Sequence, residues 1–97
     1  MSGDALFEIV AELRRFAAWS PTTDEELTRW AEQAQGMHEL LRKMGSGIEV
    51  DERYWHYMID ADIRARDAHY REIQQKGFLA LIDEWERRAV QRQAARE

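Results

Sequence analysis

Apolar side chains recur at steps of three and four along most of this chain, which is the period of an α-helix. The first such stretch predicts a helix over about residues 4–19. Ser20 and Pro21 end it, because the residue before a proline avoids helical backbone angles. The positions that share its apolar face are Leu6, Ile9, Val10, Leu13, Phe16 and Ala17.

A second helix is predicted over residues 23–44. Thr22 with Glu25, or Thr23 with Glu26, has the spacing of a capping box. Its apolar positions follow alternating steps of three and four, which predicts packing against an antiparallel neighbour. Those positions are Leu27, Trp30, Ala34, Met37, Leu41 and Met44. Gly45 suits the cap at the C-terminal end of this helix.

The longest uninterrupted helical pattern covers residues 51–76, and Asp51 can serve as its N-cap. No proline or glycine interrupts this stretch before Gly77, so the sequence predicts one helix. Helical spacing predicts that one stripe of this helix faces its neighbours. The stripe consists of Trp55, Ile59, Ile63, Arg66, Tyr70 and Ile73.

A further apolar stripe in residues 78–94 leaves two alternatives at Gly77. Either Gly77 ends the central helix and a fourth helix begins, or the helix continues, with or without a kink. No Ser, Thr, Asp or Asn lies near Phe78 to cap a new helix, and this slightly favours continuity. The stripe contains Phe78, Leu81, Ile82, Trp85 and Ala89.

These patterns predict an all-α protein, an antiparallel bundle of three or four helices that forms a single domain over residues 1–97. A chain of 97 residues fits one domain. Its 44% hydrophobic and 34% charged residues are typical of a folded helical protein, not of a disordered one. The absence of cysteine excludes disulfides, thiolate zinc sites and cysteine nucleophiles.

The charge and the start of the chain bear on its location. A net charge of −5 disfavours general nucleic-acid binding and adsorption to an anionic membrane. No stretch is long and apolar enough to cross a bilayer. The first residues lack the basic start and apolar centre of a secretory signal. We therefore expect a cytoplasmic protein with no membrane partner.

The first turns of the central helix carry large apolar side chains on several sides. Such a helix is normally buried on several sides, and a short chain has few elements that could cover it. We therefore expect a second copy of the chain to cover them in a homodimer or larger assembly. The expected interface residues are Phe7, Tyr54, Trp55, Tyr57 and Met58. The alternative is that loop residues such as Ile48 cover these rings.

A metal-binding bundle is an alternative function. Glu52, His56 and Asp60 lie at successive four-residue steps, and imidazole and carboxylate groups are ligands for transition metals. Against this, Asp60 has an arginine, Arg64, one turn further on as an ion-pair partner. The Glu-x-x-His pairs of diiron bundles are also absent. We expect a solvated polar face and no cofactor.

A basic stripe near the C-terminus offers a second alternative, weak binding of nucleic acid or of an acidic partner. The stripe consists of Arg87, Arg88, Arg92 and Arg96. No nucleic-acid-binding motif or stacking aromatic accompanies it, so a solubilising tail is favoured.

The sequence predicts no catalytic residues. His38 lies at the edge of the second apolar stripe, where we expect a hydrogen-bonded or half-exposed histidine. We therefore favour a non-enzymatic interaction or assembly module that acts through an aromatic-rich helical surface. Its partners are other copies of itself and another protein, and small adaptors, antitoxin-like proteins and phage-type inhibitors all fit this description.

Overall fold

A computed structural model describes the backbone of residues 2–45 and 47–96 and the side chains of residues 6–45 and 47–95. These residues contain no strand, which confirms the all-α prediction. One turn of 3-10 helix, Ile48–Val50, precedes the third helix. The five α-helices of this part of the chain are α1 (Ser2–Ala17), α2 (Asp24–Met44), α3 (Glu52–Ile59), α4 (Ala61–Arg66) and α5 (Ala68–Arg96).

The ends of α2 form as the sequence predicts. The Thr23 hydroxyl accepts from the backbone N–H of Glu26, and the Glu26 carboxylate accepts from the backbone N–H of Thr23, so the capping box is complete. Gly45 adopts a left-handed conformation with φ of 61° and donates its N–H to the carbonyls of Leu41 and Arg42. The cap therefore uses the backbone freedom of glycine.

The predicted single helix over residues 51–76 is wrong, because the chain interrupts it at Asp60 and again at Asp67. Asp51 does cap α3, and its carboxylate accepts from the backbone N–H of Arg53 at 2.9 Å. The Asp67 carboxylate accepts from two N–H groups, those of His69 and Tyr70, both at 3.0 Å, and so starts α5.

Tertiary contacts of polar side chains accompany the first of these interruptions. Arg64 is only 4% exposed, and its Nη1 donates to the Tyr57 carbonyl and to Oε1 of Gln74. The Asp60 carboxylate accepts from the Tyr70 hydroxyl at 2.6 Å and from Nε2 of Gln74 at 3.0 Å. An aspartate side chain can compete with the helical backbone for hydrogen bonds, and this favours the break at Asp67.

The helix that follows passes straight through Gly77 and extends for 29 residues. The favoured alternative, continuity at Gly77, is therefore confirmed, and residues 78–94 do not form a separate helix. The first part of α5 packs against α4, and its later part packs between α3 and α1.

Neighbouring helices run antiparallel, as predicted. Nη2 of Arg14 in α1 contacts the carboxylates of Asp83 and Glu86 in α5, whereas the Ala17 carbonyl accepts from Gln75 earlier in that helix. α2 and α3 are related in the same way. His38 meets Tyr54 at one end, and Nε1 of Trp30 donates to the Met58 carbonyl at the other.

The apolar stripes of α1, of the later part of α5 and of the middle of α2 form the core, as predicted. At the ends of the α2 stripe, Leu27 is only half-buried and Met44 is 38% exposed, so burial there is less than predicted. The predicted central stripe is not part of the core: Ile59, Ile63 and Ile73 are 60%, 44% and 56% exposed. The buried positions of that segment are instead Tyr54, Tyr57, Met58, Ala61 and Arg64. The central helix is therefore rotated relative to our prediction, with its aromatic side inward and its isoleucines outward.

Candidate interaction surface between α2 and the α3–α4 segment

The tyrosines predicted at an interface lie in the core of the single chain. Tyr54, Tyr57 and Met58 are 0%, 3% and 2% exposed, so the expectation that a second copy covers them is wrong. The Tyr57 ring stacks on Phe78, with centroids 3.9 Å apart and planes 5° apart. For Tyr57, the later part of α5 thus supplies the cover that we expected from a partner, whereas the Tyr54 ring contacts those of His38 and Trp55.

The other two predicted interface residues remain partly exposed to solvent. Phe7 and Trp55 are half-buried and pack against the edge of the core. The Trp55 ring lies against the imidazole of His38, with centroids 4.4 Å apart. Trp55 therefore joins α3 to α2 at the molecular surface.

His38 is half-buried and hydrogen-bonded, in agreement with our expectation. Its Nδ1 shares a hydrogen bond with the Tyr54 hydroxyl at 2.6 Å. Burial lowers the pKa of His38, and the nearby charge of Arg42 lowers it further. Burial also raises the pKa of Tyr54. Both side chains are therefore held in their neutral forms at neutral pH.

An apolar row, half-buried at Trp55 and exposed at Ile59 and Ile63, follows one side of α3 and α4. Trp55, Ile59 and Ile63 lie at successive four-residue steps, which places them near one another along one helical face. The hydrogen bonds from Asp60 to the His56 carbonyl and from Arg64 to the Asp60 carbonyl keep the helical repeat across the junction. The row is therefore continuous although α3 and α4 are separate helices.

A groove of about 630 Å³ lies between Ile59 of this row and α2. Its floor is apolar and consists of Trp30, Ala34 and Met58, all of them buried. Ile59 stands on one side of the groove and Ala31 on the other. Asp62 is the one carboxylate in the lining, and His38 is the other titratable group. The complete lining is Leu27, Trp30, Ala31, Ala34, Gln35, His38, Met58, Ile59, Ala61 and Asp62.

The structure does not support the alternative of a metal site at Glu52, His56 and Asp60. Nδ1 of His56 lies 4.0 Å from the Asp60 carboxylate, which points to Tyr70 and Gln74 instead. Within the part of the chain that the structure describes, no three His, Asp or Glu side chains are grouped to hold a metal ion. Asp60 acts in the junction between α3 and α4.

The predicted basic stripe is exposed where the structure describes it. Arg87, Arg88 and Arg92 are exposed, and the guanidinium of Arg88 lies 4.5 Å from the centroid of the Trp85 ring. That contact is a cation–π interaction within the chain. The side chain of Arg96 lies outside the described residues.

Comparison of the chain with family models, with characterised proteins and with solved structures gave no match. Of the helices described, none has the length and apolar character required to cross a membrane.

Proposed function

We propose that this protein is a non-enzymatic interaction module of the cytoplasm that assembles with copies of itself through the groove between α2 and α3–α4. The observation that supports this most directly is the exposure of Ile59. Its side chain is 60% exposed beside a groove with an apolar floor, although its position in the sequence predicts burial. Burying such an aliphatic side chain fully is worth roughly 1.5–3 kcal/mol.

A second copy of the chain is the partner that this surface fits. In a twofold interface, the same patch of both subunits must be complementary to itself. This face carries both a projecting apolar side chain, Ile59, and a groove that can receive one. Two copies related by a twofold axis would therefore each insert Ile59 into the groove of the other.

The chemistry of the lining agrees with this arrangement. Asp62 is the one carboxylate among the ten lining residues, in a chain of which 34% is charged. The cores of protein interfaces are depleted of charged residues relative to the remaining surface. Trp55, half-buried next to His38, adds a rigid aromatic side chain of the kind that dominates binding energy at interfaces.

Mass in solution, measured by light scattering over a range of protein concentrations, tests this proposal. We expect the wild-type protein to form a dimer or larger assembly. Ile59→Asp should shift it to the monomer, because a carboxylate would be desolvated against the apolar floor. Ala31→Glu, on the opposite wall of the groove, should have the same effect.

Val90→Asp is the matched control, because Val90 is an exposed aliphatic residue of α5, 53% exposed, that does not line the groove. It should leave the mass unchanged. Circular dichroism should show native helix content in all three variants. A wild-type monomer at every concentration would refute self-assembly, and an unchanged mass of Ile59→Asp would refute this surface.

A further inference from the structure

His38 belongs to the lining of the groove between α2 and α3–α4, and it also joins these two parts of the chain. Its Nδ1 lies 2.6 Å from the Tyr54 hydroxyl oxygen, and its ring packs against that of Trp55, with centroids 4.4 Å apart. The side chain is half-buried. A change in the charge of His38 therefore takes place on the surface through which we propose that the chain assembles.

The hydrogen bond with Tyr54 indicates which form of the imidazole the structure holds. Tyr54 is 0% exposed, and a buried hydroxyl group requires an acceptor for its proton. An unprotonated Nδ1 is such an acceptor, and in a neutral imidazole the proton is then on Nε2. The geometry therefore fits neutral His38 in the Nε2–H tautomer, with the Tyr54 hydroxyl as the donor.

Protonation of His38 changes this arrangement in two ways. Nδ1 becomes a donor, so the Tyr54 hydroxyl loses the acceptor for its own proton. The ring also gains a positive charge within the groove lining, and a second copy that covered the groove would remove water from that charge. Taking an unpaired charge out of water is unfavourable. Protonation therefore opposes both the contact between α2 and α3 and the burial of the groove.

The charged groups near His38 do not compensate a positive charge there. Burial lowers the pKa of His38, and Arg42, one turn further along α2, lowers it further. Glu49 of the 3-10 turn is the charge that acts on Tyr54, and Asp62 of α4 is the carboxylate of the groove lining. With both carboxylates present, the net effect of the surroundings still favours neutral His38.

We infer that His38 is a pH-sensitive switch of self-assembly: the copies associate while the imidazole is neutral and separate into folded monomers when it is protonated. This inference rests on the proposed assembly through the same groove. A twofold dimer buries two copies of His38, so its dissociation is linked to the uptake of up to two protons. Below the pKa of His38 in the monomer, the dissociation constant should therefore rise by up to about 100-fold for each pH unit.

The general charge of the chain acts in the opposite direction. Its net charge is −5 at neutral pH, so acidification reduces the repulsion between copies and by itself favours association. Dissociation on acidification is therefore diagnostic of a charge that develops locally at the interface.

Sedimentation equilibrium of the full chain between about pH 7.5 and about pH 5 tests the inference, because histidine titrates in this range. We expect the dissociation constant of the wild-type protein to rise by at least about 100-fold over this range, with native helix content by circular dichroism throughout. His38→Gln should assemble equally at every pH, because its amide oxygen can accept from the Tyr54 hydroxyl and does not titrate. His69→Gln, which replaces an exposed histidine of α5, is the matched control and should retain the full dependence.

The pKa of His38 itself provides a second measurement if His38→Gln does not assemble. Its imidazole resonances, followed by NMR in the wild-type protein above and below the dissociation constant, should give a lower pKa in the assembled form. An assembled wild-type protein with the same dissociation constant at every pH, or the same pKa in both forms, would overturn the inference and leave the proposed function intact. A wild-type monomer at every pH would refute the proposed function as well.

Discussion

Tyr57 shows why the orientation of α3 could not be predicted from the pattern of its own residues. One face of its ring stacks on Phe78, and the guanidinium of Arg64 lies 3.7 Å from its centroid. The position of Tyr57 alone suggests an exposed ring off the apolar stripe. Its two contacts lie seven and 21 positions further along the chain, so they cannot be read from local periodicity.

We predict that Phe78→Ala destabilises the protein by about 3–5 kcal/mol, because it removes a fully buried ring and leaves a cavity beside Tyr57. Urea unfolding followed by circular dichroism measures this change. Leu79→Ala is the control: Leu79 is the next residue and is 39% exposed. Leu79→Ala should lower the free energy of unfolding far less. An equal decrease for both variants would show that the contact between Phe78 and Tyr57 is unimportant.

His38 makes the stability of the protein depend on pH. Its pKa is lowered in the folded chain, so the unfolded chain binds the proton more readily. The contribution of His38 to stability is therefore complete above the unfolded pKa of about 6.5. It decreases as the pH falls below that value and is lost once the pH has passed through the lowered pKa of the folded state.

Urea unfolding at a series of pH values measures this dependence. His38→Gln should flatten it, because glutamine can still hydrogen-bond with Tyr54 but does not titrate. His69→Gln, which replaces an exposed histidine, controls for the loss of a histidine as such. A slope that is the same in His38→Gln as in the wild-type protein would assign the dependence to another group.

At the scale of helices, the sequence predicts those features that depend on contacts between residues within one helical turn. Thr23 and Glu26 cap α2, Gly45 ends it, and Asp51 caps α3 because each contact is made within one turn. The helical pattern of residues 51–76 does not predict the breaks at Asp60 and Asp67. The side-chain network at the first of them joins groups 10 to 14 residues apart, and such contacts depend on how α5 folds back against α3 and α4.

The continuity of α5 gives a prediction at Gly77. Gly77→Ala should stabilise the protein by about 0.5–1 kcal/mol, because alanine is the better helix former. A Cβ atom at this position would meet nothing within 4 Å. Gly45→Ala is the contrasting control and should destabilise, since Gly45 has a φ of 61°. Thermal unfolding measures both, and destabilisation by Gly77→Ala would show that the helix ends there.

At the scale of the whole molecule, the sequence predicts which segment of the chain contributes to the candidate surface, but not which face of that segment is exposed. It directs attention to the start of the central helix, where Trp55 and Ile59 lie. It misplaces the exposed side, because Ala31 and Leu27 of α2 form the groove only after the two helices pack. A groove between two helices leaves no recognisable pattern in the sequence of either helix.

The pairing of α1 with α5 depends on apolar contacts more than on its ion pairs. Leu13 is fully buried, while Arg14 makes exposed ion pairs with Asp83 and Glu86 at 3.2 and 2.9 Å. Leu13→Ala should destabilise by about 2–5 kcal/mol. Arg14→Ala should cost at most about 1 kcal/mol, since exposed ion pairs contribute little.

Chemical unfolding in low and high salt measures both variants. The effect of Leu13→Ala should not depend on salt, and the small effect of Arg14→Ala should shrink as salt screens the pairs. A larger loss for Arg14→Ala than for Leu13→Ala would show that charge holds α1 in place.

The position of α1 in the sequence also affects how the protein folds during its synthesis. Arg14 contacts residues 69 and 72 positions further along the chain, so α1 emerges long before its main packing partner is translated. Until then, the apolar face of the nascent helix lacks the cover that α5 provides, although Phe16 can already contact Trp30 of α2. A ribosome-associated chaperone should therefore crosslink to this segment on stalled nascent chains, and the crosslink should be lost once α5 has left the ribosome and packed against α1.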